Sequence, residues 1–207
     1  MLISILAIIW FLLVLVWGFY QVRQFYKFSH KDDVGLVTSN LNNLKNILEQ
    51  ILESDKKVST LDTKYFIELG SGRAVISDYI AQNYLFKKVI AIENDWLIHT
   101  WASTIHLIKV KLLRVSYKTN LSYINQSVFD FDYLKHDGSK IFYCYLFSQI
   151  LDKLYKEGVF KNSIVISLSF QIPNLQASQT HEIPNGLLQK KLFIYDFADN
   201  TSKENPC

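Results

Sequence analysis

The sequence of 207 residues predicts an α/β domain built on a doubly wound, mostly parallel sheet and preceded by one transmembrane helix. Two observations lead to this fold class. From Lys64 onward, short apolar runs typical of strands alternate with longer helix-like segments, which is the pattern of parallel strands joined by crossover helices. Before residue 21, by contrast, the chain is almost entirely apolar. After Pro173 the alternation stops, and residues 175–183 and 190–197 are typical of an antiparallel hairpin at the C-terminus.

The N-terminal segment has the length and composition of a membrane span. Residues 2–20 read LISILAIIWFLLVLVWGFY and carry no charged side chain. A helix of this length, at ~1.5 Å per residue, covers ~30 Å, which is the thickness of a bilayer's hydrocarbon core. We therefore expect a single-pass membrane anchor over residues 1–22. Because Arg23, Lys27 and Lys31 follow it, the positive-inside rule predicts that the rest of the chain lies on the cytoplasmic side.

The remaining chain divides into a linker, one domain and a tail. Residues 23–36 are polar and mixed, as expected of a juxtamembrane linker. The domain is predicted over residues 37–200, and it begins with an amphipathic helix over residues 37–54 that would cover an edge of the sheet. Residues 201–207 form the predicted tail.

The alternating part of the chain predicts the individual elements. We expect strands over residues 64–69, 88–93, 121–126, 140–147 and 163–170. We expect helices over residues 73–84, 95–113 and 148–157. The second of these helices is rich in large apolar residues, and its Trp96 and Trp101 are predicted to pack it against the sheet.

Composition argues against several classes of function. The net charge of +3 is small, and no basic tract interleaved with aromatic residues occurs, so we predict no nucleic-acid partner. The two cysteines, Cys144 and Cys207, suggest no disulfide framework. His99 and His106 would lie on one helix face, but no Cys or carboxylate completes a ligand set, so we predict no metal site.

The first predicted strand ends in a glycine-rich turn, Glu68-Leu-Gly70-Ser71-Gly72. Glycine lets a ligand approach the backbone closely, and the following helix would point its free N–H groups at that ligand. A dinucleotide fingerprint would require glycine where the chain has Val75. The carboxylate of Glu68 could instead accept hydrogen bonds from a cationic amino-acid group, or organise the loop that does.

Two other strand ends carry candidate site residues. Glu93 ends the second predicted strand, where a carboxylate can accept both hydroxyls of a ribose. Tyr145 and Phe147 end the fourth predicted strand. Because the carboxyl ends of parallel strands line the ligand crevice, these rings would either face the reacting group or pack in the core.

Glu68-x-Gly70-x-Gly72 followed by Glu93 resembles motifs I and II of the class I, Rossmann-like S-adenosyl-L-methionine-dependent methyltransferases. With the apolar N-terminus and the segments IEND, YCYLF and VISLSFQIPN, the chain resembles the membrane-anchored lysine methyltransferases that include the ATP synthase c-subunit enzyme, and their bacterial relatives. This resemblance implies S-adenosyl-L-methionine as the cofactor. The cofactor-binding residues that it implies are Glu68, Gly70, Ser71 and Gly72 on the methionine part, Glu93 and Asn94 on the ribose and adenosine, and Ser127 on the adenine side.

The resemblance implies an enzyme that methylates lysine on a membrane-associated protein. Aromatic faces can hold an ammonium group through cation–π contacts, so Tyr145 and Phe147 are the candidates for lining the acceptor slot. Two alternatives stay open. The acceptor could be a small or lipid-like molecule such as a quinone. Alternatively, the domain could be a catalytically silent interaction module, because Arg73-Ala74 stands where the family carries Asp-Gly.

Overall fold

The computed structural model describes residues 10–18, 20, 41–54, 61–183 and 190–197. The chain divides into two compact units, Met1–Ser39 and Asn40–Cys207. In the first unit, residues 10–18 are helical. Within the described ranges, no helix combines the length and the apolar character needed to cross a membrane. Much of the anchor predicted over residues 1–22 lies outside the described residues, as do all of the linker 23–36 and the tail 201–207, so these remain predictions.

The second unit is built on a sheet that has seven strands among its described residues. They are β1 (Tyr65–Leu69), β2 (Lys88–Glu93), β3 (Leu121–Asn125), β4 (Lys140–Cys144), β5 (Ser163–Leu168), β6 (Gln179–Ile183) and β7 (Lys190–Asp196). Their order across the sheet is β3-β2-β1-β4-β5-β7-β6. Strands β1 to β5 pair in parallel, whereas β7 pairs antiparallel with both β5 and β6. The predicted doubly wound, mostly parallel sheet with a C-terminal antiparallel hairpin is therefore confirmed.

The helices of this unit are α1 (Leu41–Ser54), α2 (Val75–Asn83), α3 (Trp96–Lys111) and α4 (Ser148–Lys156), with a 3-10 turn at Tyr133–Lys135. Asp132 caps that turn by accepting hydrogen bonds from the N–H groups of the second and third turn residues. In α1, Leu48 and Leu52 are buried in one hydrophobic cluster with Ile183 of the edge strand β6. This helix therefore packs onto the sheet through its apolar face.

The core lies on both faces of the sheet. Along β1 every residue is buried, with Phe66 in the cluster under α1, α2 and α3 and Ile67 in the cluster under α4. Likewise, Tyr143 of β4 belongs to the first cluster and Cys144 to the second. A central parallel strand covered by helices on both faces must be apolar on both faces, and this explains the unbroken hydrophobic runs in the sequence.

Several predicted element boundaries were wrong; β5, for example, ends at Leu168 rather than at residue 170, and β6 begins at Gln179 rather than at residue 175. Helix α2 begins at Val75 rather than at residue 73, because Ala74 adopts a left-handed conformation with φ of +53° and cannot belong to a right-handed helix. Strand β4 ends at Cys144 rather than at residue 147. Its partner β1 ends opposite it at Leu69, where the glycine turn begins, so β4 loses its pairing on that side.

The prediction that two tryptophans of α3 pack against the sheet was also wrong. Trp96 is 57% exposed and Trp101 is 61% exposed. The smaller side chains of Ile98 and Ala102 make the buried contact instead. A helix that is apolar on all sides does not reveal from its sequence which side faces the core.

Asp78 joins the helices on one face of the sheet. It lies in α2, is buried, and accepts hydrogen bonds from Lys109 Nζ of α3 at 2.6 Å and from Gln82 Nε2 at 2.8 Å. It also accepts a hydrogen bond from the hydroxyl of Tyr117, which lies in the segment that leads into β3. The bond to Asp78 and burial together raise the pKa of Tyr117, with burial as the larger cause.

Candidate active site

The turn after β1 depends on its glycines. Gly70 and Gly72 have φ values of +66° and +55°, in the left-handed region that glycine adopts without strain. A β-carbon at Gly70 would also lie 2.8 Å from Leu146 Cδ2, so there is no space for a larger residue without a shift of that side chain. The turn therefore lies at the edge where the parallel strands end, with Leu146 filling the space beside Gly70.

Glu93 fixes this turn to the end of β2. Its Oε2 accepts the N–H of Gly72 at 2.8 Å, and its Oε1 accepts the N–H of Asp95 at 2.7 Å. The N–H of Ser71 donates to the carbonyl of Ile92 at 2.8 Å. Glu93 is therefore held in place by a backbone bond to each of its two carboxylate oxygens.

Glu68 is a buried carboxylate beneath the same turn. Its Oε2 accepts both the N–H and the hydroxyl of Ser77, at 2.9 and 2.6 Å. Ala74, the N-cap of α2, has no side chain that can serve this helix end, so Glu68 takes over that role. Burial raises the pKa of Glu68 to about 7, and the two bonds from Ser77 oppose that rise.

Glu68 thus fixes the first turn of α2, which begins shortly after the glycine turn. None of the described residues donates a hydrogen bond to its second oxygen, Oε1. That oxygen is where a cationic ligand group would bind. A cation there would also offset the cost of burying the carboxylate.

Asn94 and Ser127 lie on the loops that follow β2 and β3. Asn94 is exposed, and its carbonyl accepts from Asn125 Nδ2 at 3.1 Å. The same Nδ2 donates to the carbonyl of Glu93 at 2.7 Å, which ties the two strand ends together. The hydroxyl of Ser127 accepts the N–H of Phe129 at 3.2 Å and so shapes the loop after β3. Sequence reasoning missed Asn125, although it ends β3 as Glu93 ends β2.

The two aromatic candidates after β4 form a cluster with a third ring. Tyr145 and Phe147 are half-buried, and their ring centroids lie 5.6 and 5.2 Å from that of Phe170. Phe170 follows β5 as Tyr145 follows β4, so the rule that located Tyr145 could also have located Phe170. We call Tyr145, Phe147 and Phe170 the aromatic slot.

A lysine lies against the aromatic slot. Lys190 begins β7, and because this strand is antiparallel to β5 it starts at the edge where β5 ends. Its Nζ lies 5.0 Å from the centroid of the Tyr145 ring. This ammonium is buried and has no hydrogen-bond partner in the described part of the chain. A buried cation without such a partner is costly, so an oxygen or aromatic face offered by a ligand would be bound strongly there.

Among the residues that the structure describes, no group of three or more His, Cys, Asp or Glu side chains could hold a metal ion. The chemistry available at this edge is that of carboxylates, backbone amides, aromatic rings and one lysine.

Comparison with known proteins identifies the fold. No family model and no curated protein matches the chain. Solved structures do match. An RNA methyltransferase from Salinibacter ruber, in complex with S-adenosyl-L-homocysteine, is similar at 14% identity with a TM-score of 0.56, over 83% of this chain and 100% of that one.

Two human structures are similar to the same degree. The human methyltransferase 10 domain containing protein matches at 13% identity with a TM-score of 0.55, over 81% of this chain and 88% of that one. The N-terminal domain of human METTL16 in complex with S-adenosyl-L-homocysteine matches at 13% identity with a TM-score of 0.53, over 81% and 76%. At these identities the likeness establishes the fold alone. The second unit has the seven-strand fold of the class I methyltransferases.

Proposed function

We propose that this protein is an S-adenosyl-L-methionine-dependent methyltransferase whose cofactor binds over the glycine turn at the carboxyl edge of the sheet. The observation that carries this proposal is the bond from the Gly72 N–H to Glu93 Oε2 at 2.8 Å. It supports the proposal because a carboxylate that could accept ribose hydroxyls lies directly beside the glycine turn. In a class I fold, this pairing is what the cofactor requires.

Each group in the site has a role in holding the cofactor. Glu68 Oε1 would accept a hydrogen bond from the ammonium of the methionine part, and the backbone of the turn at Gly72 would accommodate that part. Glu93 would accept the ribose hydroxyls, with Asn94 and the loop of Ser127 beside the adenosine. Arg73-Ala74 stand where the family carries Asp-Gly, but this difference leaves the glycine turn intact. The left-handed conformation of Ala74 lets the chain pass from the turn directly into α2.

The cofactor supplies both the methyl group and the leaving group, because the methyl carbon is bonded to a sulfonium. The protein's own contribution is to hold the acceptor in line with that bond and to exclude water. The aromatic slot would contribute to this, because Tyr145 and Phe147 follow β4, the neighbour of the strand β1 that leads into the glycine turn.

For the acceptor, we propose a lysine side chain of a membrane-associated protein. This finer proposal rests on the sequence resemblance, with support from the aromatic slot, whose ring faces can contact an ammonium group. Lysine must lose a proton before it can act as a nucleophile. The ammonium of Lys190, held on the Tyr145 ring, would disfavour the protonated form of a neighbouring amine and so lower its pKa. A membrane anchor over residues 1–22 would raise the effective concentration of membrane-bound acceptors.

A nucleobase of RNA is the second candidate acceptor. The Salinibacter ruber protein of the same fold is an RNA methyltransferase. A base can stack on rings such as Tyr145 and Phe170, and Lys190 could contact a phosphate. If this candidate is right, the sequence-based prediction of no nucleic-acid partner is wrong.

Two experiments test the proposal in order. Isothermal calorimetry on the full chain in nanodiscs should detect S-adenosyl-L-methionine binding, and the Glu157→Ala variant, changed at an exposed helix end, should bind equally well. Absence of binding at millimolar cofactor would refute the enzyme and favour the silent module. Radiolabelled methyl transfer into cell extract, separated into protein, lipid and RNA, then identifies the acceptor. Label in lipid alone would favour a quinone-like acceptor over both candidates.

A further inference from the structure

Helix α3 and the residues that follow it expose an unusual number of large hydrophobic side chains. Beyond residue 40, twelve such side chains are exposed in the described part of the chain, and seven of them lie between residues 96 and 113. These seven, which we call the apolar face, are Trp96, Trp101, Leu107, Ile108, Val110, Leu112 and Leu113. The other five are scattered over separate elements, at Val75, Leu85, Phe129, Leu134 and Tyr155. Scattered residues need no explanation, whereas a continuous apolar surface does.

The apolar face runs along the side of α3 that points away from the sheet. Exposed positions recur at helical spacing through Trp96, Thr100, Thr104 and Leu107, while Ile98 and Ala102 bury the opposite side. Sixteen residues at ~1.5 Å each make a helix of ~24 Å. The surface ends in Leu112 and Leu113, which are 75% and 63% exposed. The exposed apolar residues therefore extend along the length of the helix, with the exposed Thr100 and Thr104 between Trp96 and Leu107.

The charges on this surface all have the same sign. Residues 96–120 contain no Asp or Glu, but they contain Lys109, Lys111, Arg114 and Lys118. Lys109 is paired with the buried Asp78. Lys111 and Arg114 are exposed at the leucine end of the helix.

We propose that the apolar face of α3 lies flat on the surface of an anionic lipid bilayer. Tryptophan, aliphatic side chains and flanking basic residues without acids are the composition of a helix that lies in a membrane interface. The rings and aliphatic groups would enter the boundary between headgroups and acyl chains. Lys111 and Arg114 would remain among the anionic headgroups, where each basic residue contributes favourably.

This composition does not suit a second copy of the chain or RNA as the partner of the apolar face. A second copy of the chain would bring an equally basic patch with no carboxylate to pair it. RNA would match the charge, but its polar surface would leave Leu107, Leu112 and Leu113 without an apolar partner.

The inference concerns α3 alone and holds whether or not the protein transfers methyl groups. It also has a consequence for the candidate active site. Trp96 begins α3 just after Glu93 and Asn94 at the carboxyl edge of the sheet. Docking of α3 therefore brings that edge to the bilayer surface, where a membrane-bound acceptor would be presented.

Tryptophan fluorescence in vesicles tests the proposal on the full chain. The sequence contains four tryptophans, and the Trp10→Phe, Trp17→Phe double variant leaves Trp96 and Trp101 as the reporters. This variant is reconstituted into phosphatidylcholine vesicles containing about 30 mol% phosphatidylglycerol, with and without acyl-chain-brominated lipid. We expect bromine to quench the emission at least about twofold, and to quench it less in vesicles of phosphatidylcholine alone, because the basic residues contribute to docking.

Leu112→Glu together with Leu113→Glu should remove most of the quenching. The control is Leu85→Glu, which changes a similarly exposed leucine, at 58%, outside the apolar face and should leave the quenching unchanged. Circular dichroism melts show whether each variant is folded. Emission that is not quenched in any vesicle would overturn the proposal. So would cross-links between the α3 helices of two copies, or protection of Trp101 by RNA rather than by lipid.

Discussion

The Glu68→Gln substitution separates the cost of burying a carboxylate from its use in binding. Glu68 is only 5% exposed, and burial raises its pKa from about 4.5 to about 7 in the folded protein. The folded state therefore binds a proton at Glu68 more tightly than the unfolded state does. By linkage, stability is greatest below the unfolded pKa, falls as the pH rises from about 4.5 to about 7, and stays lower above that range.

The size of this effect follows from the shift in pKa. Each pKa unit corresponds to about 1.4 kcal/mol, so the free energy of unfolding should fall by about 2–3 kcal/mol between about pH 5 and about pH 8 through Glu68 alone. Gln has nearly the same shape and can still accept the N–H of Ser77, but it has no charge to desolvate. The variant should therefore lack this component of the pH dependence and be the more stable protein at about pH 8.

Urea denaturation of the wild-type protein and the Glu68→Gln variant, both in the same detergent micelles and followed by circular dichroism across this pH range, measures the difference in their free energies of unfolding. Because the other titrating groups are common to both proteins, they cancel in the difference between the two curves. Calorimetry at about pH 8 should show that the more stable variant binds S-adenosyl-L-methionine more weakly, since the ammonium has lost its carboxylate. Two parallel stability curves would refute the assignment of a raised pKa to Glu68.

Three further predictions concern the rest of the domain. Glu93→Ala should weaken cofactor binding by about 1–3 kcal/mol, measured by calorimetry, because the ribose hydroxyls and the Gly72 N–H lose their acceptor; unchanged affinity would mean that the ribose binds elsewhere. Asp78→Ala should lower the free energy of unfolding by about 1–3 kcal/mol in urea titrations, because it leaves the donors on Lys109 and Tyr117 unpaired. The control, Asp152→Ala, breaks an exposed pair with Lys156 and should cost less than about 1 kcal/mol. Equal losses in the two variants would contradict this role of Asp78. If the acceptor is lysine, the Lys190→Met variant should transfer the methyl group several-fold more slowly than the wild-type protein near neutral pH, and the two rates should converge at alkaline pH. A pH–rate profile of the labelled transfer measures this difference. A profile with an unchanged midpoint would exclude Lys190 as the group that lowers the acceptor's pKa.

Local sequence signals predicted the fold well because the domain is made of regular units. Apolar runs of strand length between helical segments indicate a buried parallel sheet, and the loss of that alternation after Pro173 indicated the hairpin. The boundaries were less accurate, because they depend on the neighbouring strands. Strand β4 ends where β1 no longer pairs with it, and the residues of β4 themselves carry no sign of this.

The candidate site was predicted in part. Glu68, Gly70, Gly72, Glu93, Tyr145 and Phe147 could be selected because strand ends and glycine turns are visible in the sequence. Phe170 was missed although the strand-end rule that located Tyr145 applies to it, and Lys190 was missed because its proximity to Tyr145 depends on how β5 and β7 pair.

The sequence by itself determined the class of fold, the turn that a cofactor can approach and the apolar segment at the N-terminus, because each is encoded in a continuous stretch of residues. Only the tertiary structure decided what the charged and aromatic side chains do. Glu68 accepts hydrogen bonds at the start of α2, and Glu93 accepts one from the N–H of Gly72. The tryptophans of α3 are exposed. The physical reason is that burial and hydrogen-bond partners are set by segments distant in the chain. A helix that is apolar on every side, such as α3, acquires an inner and an outer face only when the sheet covers one of them.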